Sequence, residues 1–248
     1  MFPETYLLKL NTYNLSLIIV VISAFLTLYF LCKKLNVDYN YYKFISINGA
    51  ISLIVGLFSA TIFQSLYNKI DSNSNIVGGA TFLGGLLGGA IFFFVACYLC
   101  RNKYDGKLSD VISILPCAVL IGHFFGRIGC FLEGCCYGTQ TNSFLGVQFP
   151  NLENKVHPTQ LYEATFLLIL FVVLLFLLLK YKFNYNLSLY LISYGIFRFL
   201  IEFLRGDERG AFIKGISPSQ FWSIIMIVIG VVLIIISIVN KKKSIKFN

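Results

Sequence analysis

Residues 164–179 read ATFLLILFVVLLFLLL and contain no charged side chain. With the three residues before it, this stretch forms an apolar run over 161–179, close to the ~20 residues that cross a hydrocarbon core ~30 Å thick. Working outward, comparable runs occupy 15–32, 44–63, 76–99, 111–132, 187–204 and 217–239. The pattern predicts an all-α integral membrane protein, with residues 1–248 forming one polytopic bundle of seven transmembrane helices.

Composition supports a membrane protein and excludes an ordinary soluble domain. The 248 residues are 57% hydrophobic and only 12% charged, against about 25% charged in soluble domains, and the mean hydropathy is +0.78. The net charge of +9 raises the question of nucleic acid as a partner. Since the basic residues lie in short connections and in the tail KKKSIK, we interpret them as topology signals and expect no nucleic acid partner.

The distribution of lysine and arginine predicts the orientation of the bundle. Most of them lie in the connections after the first, third and fifth runs and in the C-terminal tail. The positive-inside rule therefore places the N-terminus outside and the C-terminus in the cytoplasm. The segments 133–160 and 205–216 then become outer-face loops, and the long polar loop 133–160 is where we expect function.

Two arginines fall inside or at the outer end of predicted spans. An unpaired charge at the centre of a membrane helix costs at least ~2.5 kcal/mol, so Arg127 and Arg198 are expected to have partners or a ligand. His123 precedes Arg127 by one turn, and Arg198, Glu202 and Arg205 are spaced to share one helical stripe. The pattern fits either an interhelical ion network or a cationic clamp for an anionic head group, to which arginine is well suited.

Three cysteines follow Arg127 in the segment GRIGCFLEGCCYG, residues 126–138. Their spacing is a weak match to a zinc site, which normally takes four nitrogen or sulfur ligands. A disulfide on the oxidising side and a thiol nucleophile with His123 or His157 as base are further alternatives. Simple packing is the default interpretation, so we expect neither a metal nor a cofactor.

Glycine pairs mark the third apolar run. Gly84 and Gly85 recur four residues later as Gly88 and Gly89, which removes side chains from one helical face. Close approach of a neighbouring helix is the favoured interpretation, and room for a lipid is the alternative.

Three motifs in fixed order carry a family resemblance. GRIGCFLEGCCYG at 126–138, HPTQLYE at 157–163 and YGIFRFLIEFLR at 194–205 resemble the prolipoprotein diacylglyceryl transferase family of bacterial inner-membrane enzymes. The resemblance implies transfer of a diacylglyceryl group from phosphatidylglycerol to the lipobox cysteine thiol of a prelipoprotein, with release of glycerol phosphate. It also implies phosphatidylglycerol and the prelipoprotein signal region as partners, no cofactor, and a multi-pass location in the inner membrane.

The resemblance assigns catalytic roles to Arg127, Arg198 and Glu202, and His123, one turn before Arg127, is a further catalytic candidate from its spacing. Both arginines would hold the lipid phosphate, and Glu202 would orient Arg198. The remaining motif positions are expected to bind substrate, with the HPTQLYE residues shaping the outer mouth. These positions are Gly126, Gly129, Cys130, Glu133, Tyr137, Gly138, His157, Gln160, Tyr162, Glu163 and Arg205.

The motifs also depart from the family pattern. Cys130 and Glu133 stand where the family has asparagines, Cys135 stands where it has glutamate, and Leu83 replaces a histidine proposed for proton transfer. One explanation is that His123 has become the proton acceptor, which suits an imidazole pKa near ~6.5. Another is a paralogue that transfers to a polysaccharide, small molecule or other peptide. A non-catalytic protein that binds anionic lipids is the third.

Overall fold

The computed structural model describes residues 12–70, 79–106, 108–205 and 216–246. Over these ranges the chain forms seven α-helices and one 3-10 turn, and its β-structure is limited to isolated bridges. The helices are α1 (Thr12–Lys34), α2 (Tyr39–Ile70), α3 (Gly79–Leu99), α4 (Leu108–Glu133), α5 (Thr159–Tyr181), α6 (Asn186–Ile201) and α7 (Pro218–Lys246), with the 3-10 turn at Glu202–Leu204.

The helix pattern confirms the prediction of an all-helical, multi-pass membrane protein. Within the described ranges, every helix except α3 is long and apolar enough to cross a bilayer. The described apolar part of α3, Gly84–Leu99, is shorter. A seventh crossing, the orientation of the termini and the single-domain organisation of 1–248 stay predictions.

One compact unit of the described chain comprises residues 29–111, and its centre is the contact of α2 with α3. A Cβ atom added to Gly85 would lie 3.0 Å from the carbonyl oxygen of Gly56, and one added to Gly89 would lie 2.8 Å from that of Ser52. Ser59 Oγ donates a hydrogen bond to the carbonyl of Gly84 at 2.8 Å. The glycine face therefore serves close helix approach, as the favoured interpretation predicted.

Replacing Gly89 by leucine should separate α2 from α3, because the new side chain would meet backbone atoms that cannot move aside. Overpacking of this kind typically costs about 1–3 kcal/mol, so we expect a melting temperature lower by several degrees in detergent. Gly122→Ala is the control, since a Cβ atom added there has no neighbour nearer than 3.4 Å. Equal melting temperatures for the two variants would contradict this account.

The second compact unit comprises the described residues in 12–28, 112–205 and 216–246. Here α6 packs closely on α7, because a Cβ atom added to Gly195 or to Gly230 would lie 3.0 Å from a carbonyl oxygen of the facing helix. Asn186 Nδ2 at the start of α6 donates a hydrogen bond to the carbonyl of Ser113 on α4 at 2.9 Å. These contacts fix the helices that carry the charged residues.

The connection between α4 and α5 folds over the end of α6. Its backbone pairs at Gly138 with Arg205 in an isolated bridge, and Thr139 N donates a hydrogen bond to the carbonyl of Leu204 at 2.8 Å. The predicted loop 133–160 is thus an ordered connection over 134–158. Of the second predicted loop, 205–216, residues 206–215 lie outside the described residues.

Candidate active site

A buried carboxylate joins α4, α5 and α6. Glu163 on α5 is 1% exposed, and its Oε2 lies 2.9 Å from Nε of Arg127 on α4. Its Oε1 accepts a hydrogen bond from Tyr194 Oη at 2.7 Å and lies 3.5 Å from Nε2 of His123. The assignment of Glu163 to the outer mouth of the site stays a prediction, and in the structure its buried side chain forms an ion pair with Arg127.

Arg127 uses only one edge of its guanidinium in this pair. Its Nε faces Glu163 at 2.9 Å without hydrogen-bond alignment, so the contact is an ion pair. The contact with Glu163 is made through Nε, and the side chain keeps 17% of its surface exposed. Glu163 therefore holds Arg127 while the two terminal Nη groups, of the kind that bind phosphate bidentately, lie outside this contact.

Arg198 is the second oriented cation. Its Nη2 lies 2.9 Å from Glu202 Oε2 and donates a hydrogen bond to Ser219 Oγ at 2.8 Å. Ser217 Oγ in turn donates to Glu202 Oε1 at 2.8 Å. Glu202 is thus the partner of Arg198, as its spacing predicted. Nη1 of Arg198 is buried, and no described residue accepts a hydrogen bond from it. Because buried donors normally have an acceptor, this group is a candidate to bind a ligand.

Arg205 does not share the stripe of Arg198 and Glu202, so that prediction is wrong. The α-helix ends at Ile201, the chain tightens into a 3-10 turn, and Arg205 is extended with φ −86° and ψ 139°. The backbone of Arg205 pairs with Gly138, and its side chain hydrogen-bonds to Cys136. Arg205 therefore belongs to the cysteine segment.

The three cysteines of the first motif converge. The Sγ atoms of Cys130, Cys135 and Cys136 all lie within 4.8 Å of one another, and all three are free thiols. The start of α5 holds this segment, since Thr159 Oγ1 donates a hydrogen bond to the carbonyl of Cys136 at 2.9 Å and Gln160 Nε2 donates one to the carbonyl of Cys135. We call Cys130, Cys135 and Cys136 the thiol cluster.

Ionisation within the thiol cluster is uneven. Hydrogen bonds from Cys130 and Cys135 lower the pKa of Cys136, and the nearby charge of Arg205 lowers it further. Hydrogen bonds with Cys130 and Cys136 raise the pKa of Cys135. Cys136 is therefore the position at which a negative charge is best stabilised in the connection between α4 and α5.

The remaining motif residues of the connection between α4 and α5 and of the start of α5 make local contacts. His157 Nδ1 lies 3.3 Å from Tyr162 Oη, and the ring of Tyr137 packs on Phe149 with centroids 5.5 Å apart. Glu133 Oε2 is buried, and no described residue hydrogen-bonds it.

The two motif glycines of α4 contact α1. A Cβ atom added to Gly129 would overlap the side chain of Ser16, and one added to Gly126 would touch Val20 at 3.7 Å. Substrate binding by Gly126 and Gly129 stays a prediction. In the structure both glycines lie at a helix contact, where small residues allow two helices to approach.

Three side chains that contact the candidate site were missed from the sequence, although signals exist for two of them. Tyr194 precedes Arg198 by one helical turn and so shares its face. Ser217 begins the pattern S-x-x-Q of a capping box, and the reciprocal bonds are present: Gln220 N to Ser217 Oγ at 3.2 Å and Ser217 N to Gln220 Oε1 at 3.1 Å. Ser219, two residues later, was not signalled. The side chain of Leu83 lies outside the described residues.

Comparison with known proteins shows the family of the chain. A family model described as prolipoprotein diacylglyceryl transferase matches residues 4–236. The phosphatidylglycerol–prolipoprotein diacylglyceryl transferase of Clostridium tetani is 32% identical over 237 residues, which cover 92% of this chain and 93% of that protein. Transferase 2 of the same name from Clostridium perfringens is 29% identical over 254 residues, or 97% and 96%. That of Rickettsia canadensis is 37% identical over 171 residues, or 66% and 64%.

Proposed function

The chain belongs to the prolipoprotein diacylglyceryl transferase family, and from that premise we propose that it transfers the diacylglyceryl group of phosphatidylglycerol to the lipobox cysteine of a prelipoprotein. Glycerol phosphate is the second product. The names of the curated relatives supply this lipid and this class of acceptor. The multi-pass helical fold supports a reaction at the membrane, and we assign it to the outer face of the bacterial inner membrane.

The observation that carries the proposal is a pair of arginines, each held by a glutamate at one part of its guanidinium group, with further donors outside those ion pairs. Glu163 holds Arg127 by its Nε, and Glu202 with Ser219 holds Arg198 by its Nη2. Nη1 of Arg198 has no partner among the described residues, and the two Nη groups of Arg127 lie outside its contact with Glu163. A phosphodiester anion, with its charge spread over two oxygens, fits such donors better than a neutral lipid does.

The proposed reaction needs charge stabilisation more than covalent catalysis. The acceptor thiolate attacks the glyceryl carbon that bears the phosphate, the carbon–oxygen bond breaks, and the phosphate oxygen takes the electron pair. Arg127 and Arg198 stabilise the charge that develops there. We assign His123 as the acceptor of the thiol proton, because Glu163 at 3.5 Å would stabilise the resulting imidazolium.

The proposal is tested with purified protein, phosphatidylglycerol labelled separately in the head group and in the acyl chains, and two peptides. One peptide carries the lipobox cysteine, and the matched control carries serine at that position. We expect acyl label on the cysteine peptide alone and an equal amount of labelled glycerol phosphate.

Two other outcomes would support the alternatives. Release of glycerol phosphate without labelled peptide would indicate a transferase with a different acceptor. Saturable lipid binding with neither product would indicate a non-catalytic protein that binds anionic lipids.

A further inference from the structure

The thiol cluster has the dimensions of a metal site. With metal–sulfur bonds of about 2.3 Å, the sulfur atoms of a tetrahedral zinc site lie about 3.8 Å apart, and the three Sγ atoms here already lie within 4.8 Å of one another. Rotations of the side chains would close the difference. We propose that Cys130, Cys135 and Cys136 bind a zinc ion whose fourth position accepts the thiol of the lipid acceptor.

The backbone around the thiol cluster brings the three cysteine side chains together. Gly134 ends α4 with φ 77°, and Cys136 has φ 65°, a left-handed conformation that costs a non-glycine residue of order 1 kcal/mol or more. Hydrogen bonds from Thr159 and Gln160, both 1% exposed, hold the carbonyls of Cys136 and Cys135. The buried start of α5 thus holds the backbone of the segment in a conformation in which the three sulfur atoms lie close together.

The charges beside the cluster suit an anionic metal complex. One Zn²⁺ with three thiolates carries a charge of −1, and a fourth thiolate makes it −2. Arg205 hydrogen-bonds to Cys136, and Arg127 lies one helical turn before Cys130 and interacts electrostatically with Cys130 and Cys136. These two cations offset the charge of the complex.

The ligand set favours zinc with one exchangeable position. Among the described residues, no histidine, carboxylate or further cysteine joins the three thiols as a ligand. Three protein ligands and one open position are the pattern of catalytic zinc sites, and closed structural sites use four. Zinc has no redox chemistry, so it would hold a thiolate without oxidising it.

The position of the cluster suits the reaction, and this inference rests in part on the proposed function. Arg127 would hold the phosphate close to the zinc-bound acceptor thiol, because Cys130, one of the three zinc ligands, follows Arg127 by one turn of α4. The acceptor thiol loses its proton on coordination, and the proton reaches His123 through water. The sulfur lone pair then forms the carbon–sulfur bond while the carbon–oxygen bond breaks toward phosphate, and the neutral thioether leaves the metal as a poor ligand.

Metal content is the first measurement. We expect about one zinc per chain in protein purified without chelator, and at least tenfold weaker zinc binding in each of Cys130→Ser, Cys135→Ser and Cys136→Ser. Cys100→Ser is the matched control, since Cys100 lies outside the cluster. Wild-type protein with no zinc affinity above that of the three variants would overturn the site, as would recovery of only five titratable thiols, which would indicate a disulfide.

The open position is tested with Co²⁺ in place of zinc and without lipid. We expect the cysteine lipobox peptide to strengthen the sulfur-to-cobalt charge-transfer absorption, and the serine peptide to leave it unchanged. Equal absorption with the two peptides would overturn the proposal that the acceptor thiol occupies the fourth position of the metal.

The transfer assay separates the two proposals. Full transfer by a zinc-free Cys135→Ser protein would contradict a role of zinc in the reaction, and the proposed transferase activity would still hold. A cobalt absorption that responds to the cysteine peptide, without any transfer by wild-type protein, would contradict the proposed transferase activity and support the metal site.

Discussion

Arg127→Ala and Arg198→Ala are each expected to lower diacylglyceryl transfer at least about 100-fold in a membrane assay with labelled phosphatidylglycerol and a lipobox peptide. Removing a single donor from a charge-stabilising site typically costs 10²- to 10³-fold, and each arginine supplies more than one donor. Arg198→Lys should remain strongly impaired, because an ammonium group cannot contact Glu202, Ser219 and a phosphate in the geometry of the planar fork.

The matched control for these variants is Arg101→Ala. Arg101 is exposed after α3, where it packs over the ring of Tyr98 at 4.0 Å, and its loss should leave transfer unchanged. Full transfer by both Arg127→Ala and Arg198→Ala would contradict phosphate binding by the two arginines and with it the proposed function.

Glu163→Gln is expected to lower both stability and transfer. The change leaves Arg127 buried without its counter-ion, and breaking a buried ion pair from one side typically costs about 3–5 kcal/mol. It also frees the guanidinium that Glu163 holds at 2.9 Å, so transfer should fall even where the protein stays folded. Thermal unfolding in detergent and the transfer assay measure the two effects.

A double variant distinguishes the effect of leaving Arg127 unpaired from the effect of changing the shape of the side chains. The double variant Arg127→Met/Glu163→Gln should regain most of the lost stability, because no charge is left unpaired, yet it should remain inactive. Glu153→Gln, at an exposed loop acid, is the control and should match wild type in both measurements. Additive destabilisation by Arg127→Met and Glu163→Gln would show that the two residues are uncoupled, contrary to the structure.

The sequence predicted much of the site because charge in an apolar helix is conspicuous. Arg127 and Arg198 stand out in spans that otherwise lack cations, and Glu202 follows Arg198 by one turn, so the pair could be predicted from spacing alone. The ion pair of Glu163 with Arg127 could not be predicted from spacing. It lies at the start of an apolar helix, where a solvated position and a buried one give the same sequence pattern.

By itself the sequence determined the helices, their membrane setting and the family, since these follow from the length of apolar runs and from the order of three motifs. Only the tertiary structure decided which charges pair and that the thiols meet. Glu163 contacts Arg127 from a different helix, and the thiol cluster forms because Thr159 and Gln160 hold the backbone of residues distant in sequence. Hydropathy records how each segment partitions between water and lipid, whereas side-chain pairing depends on distances between segments that only packing sets.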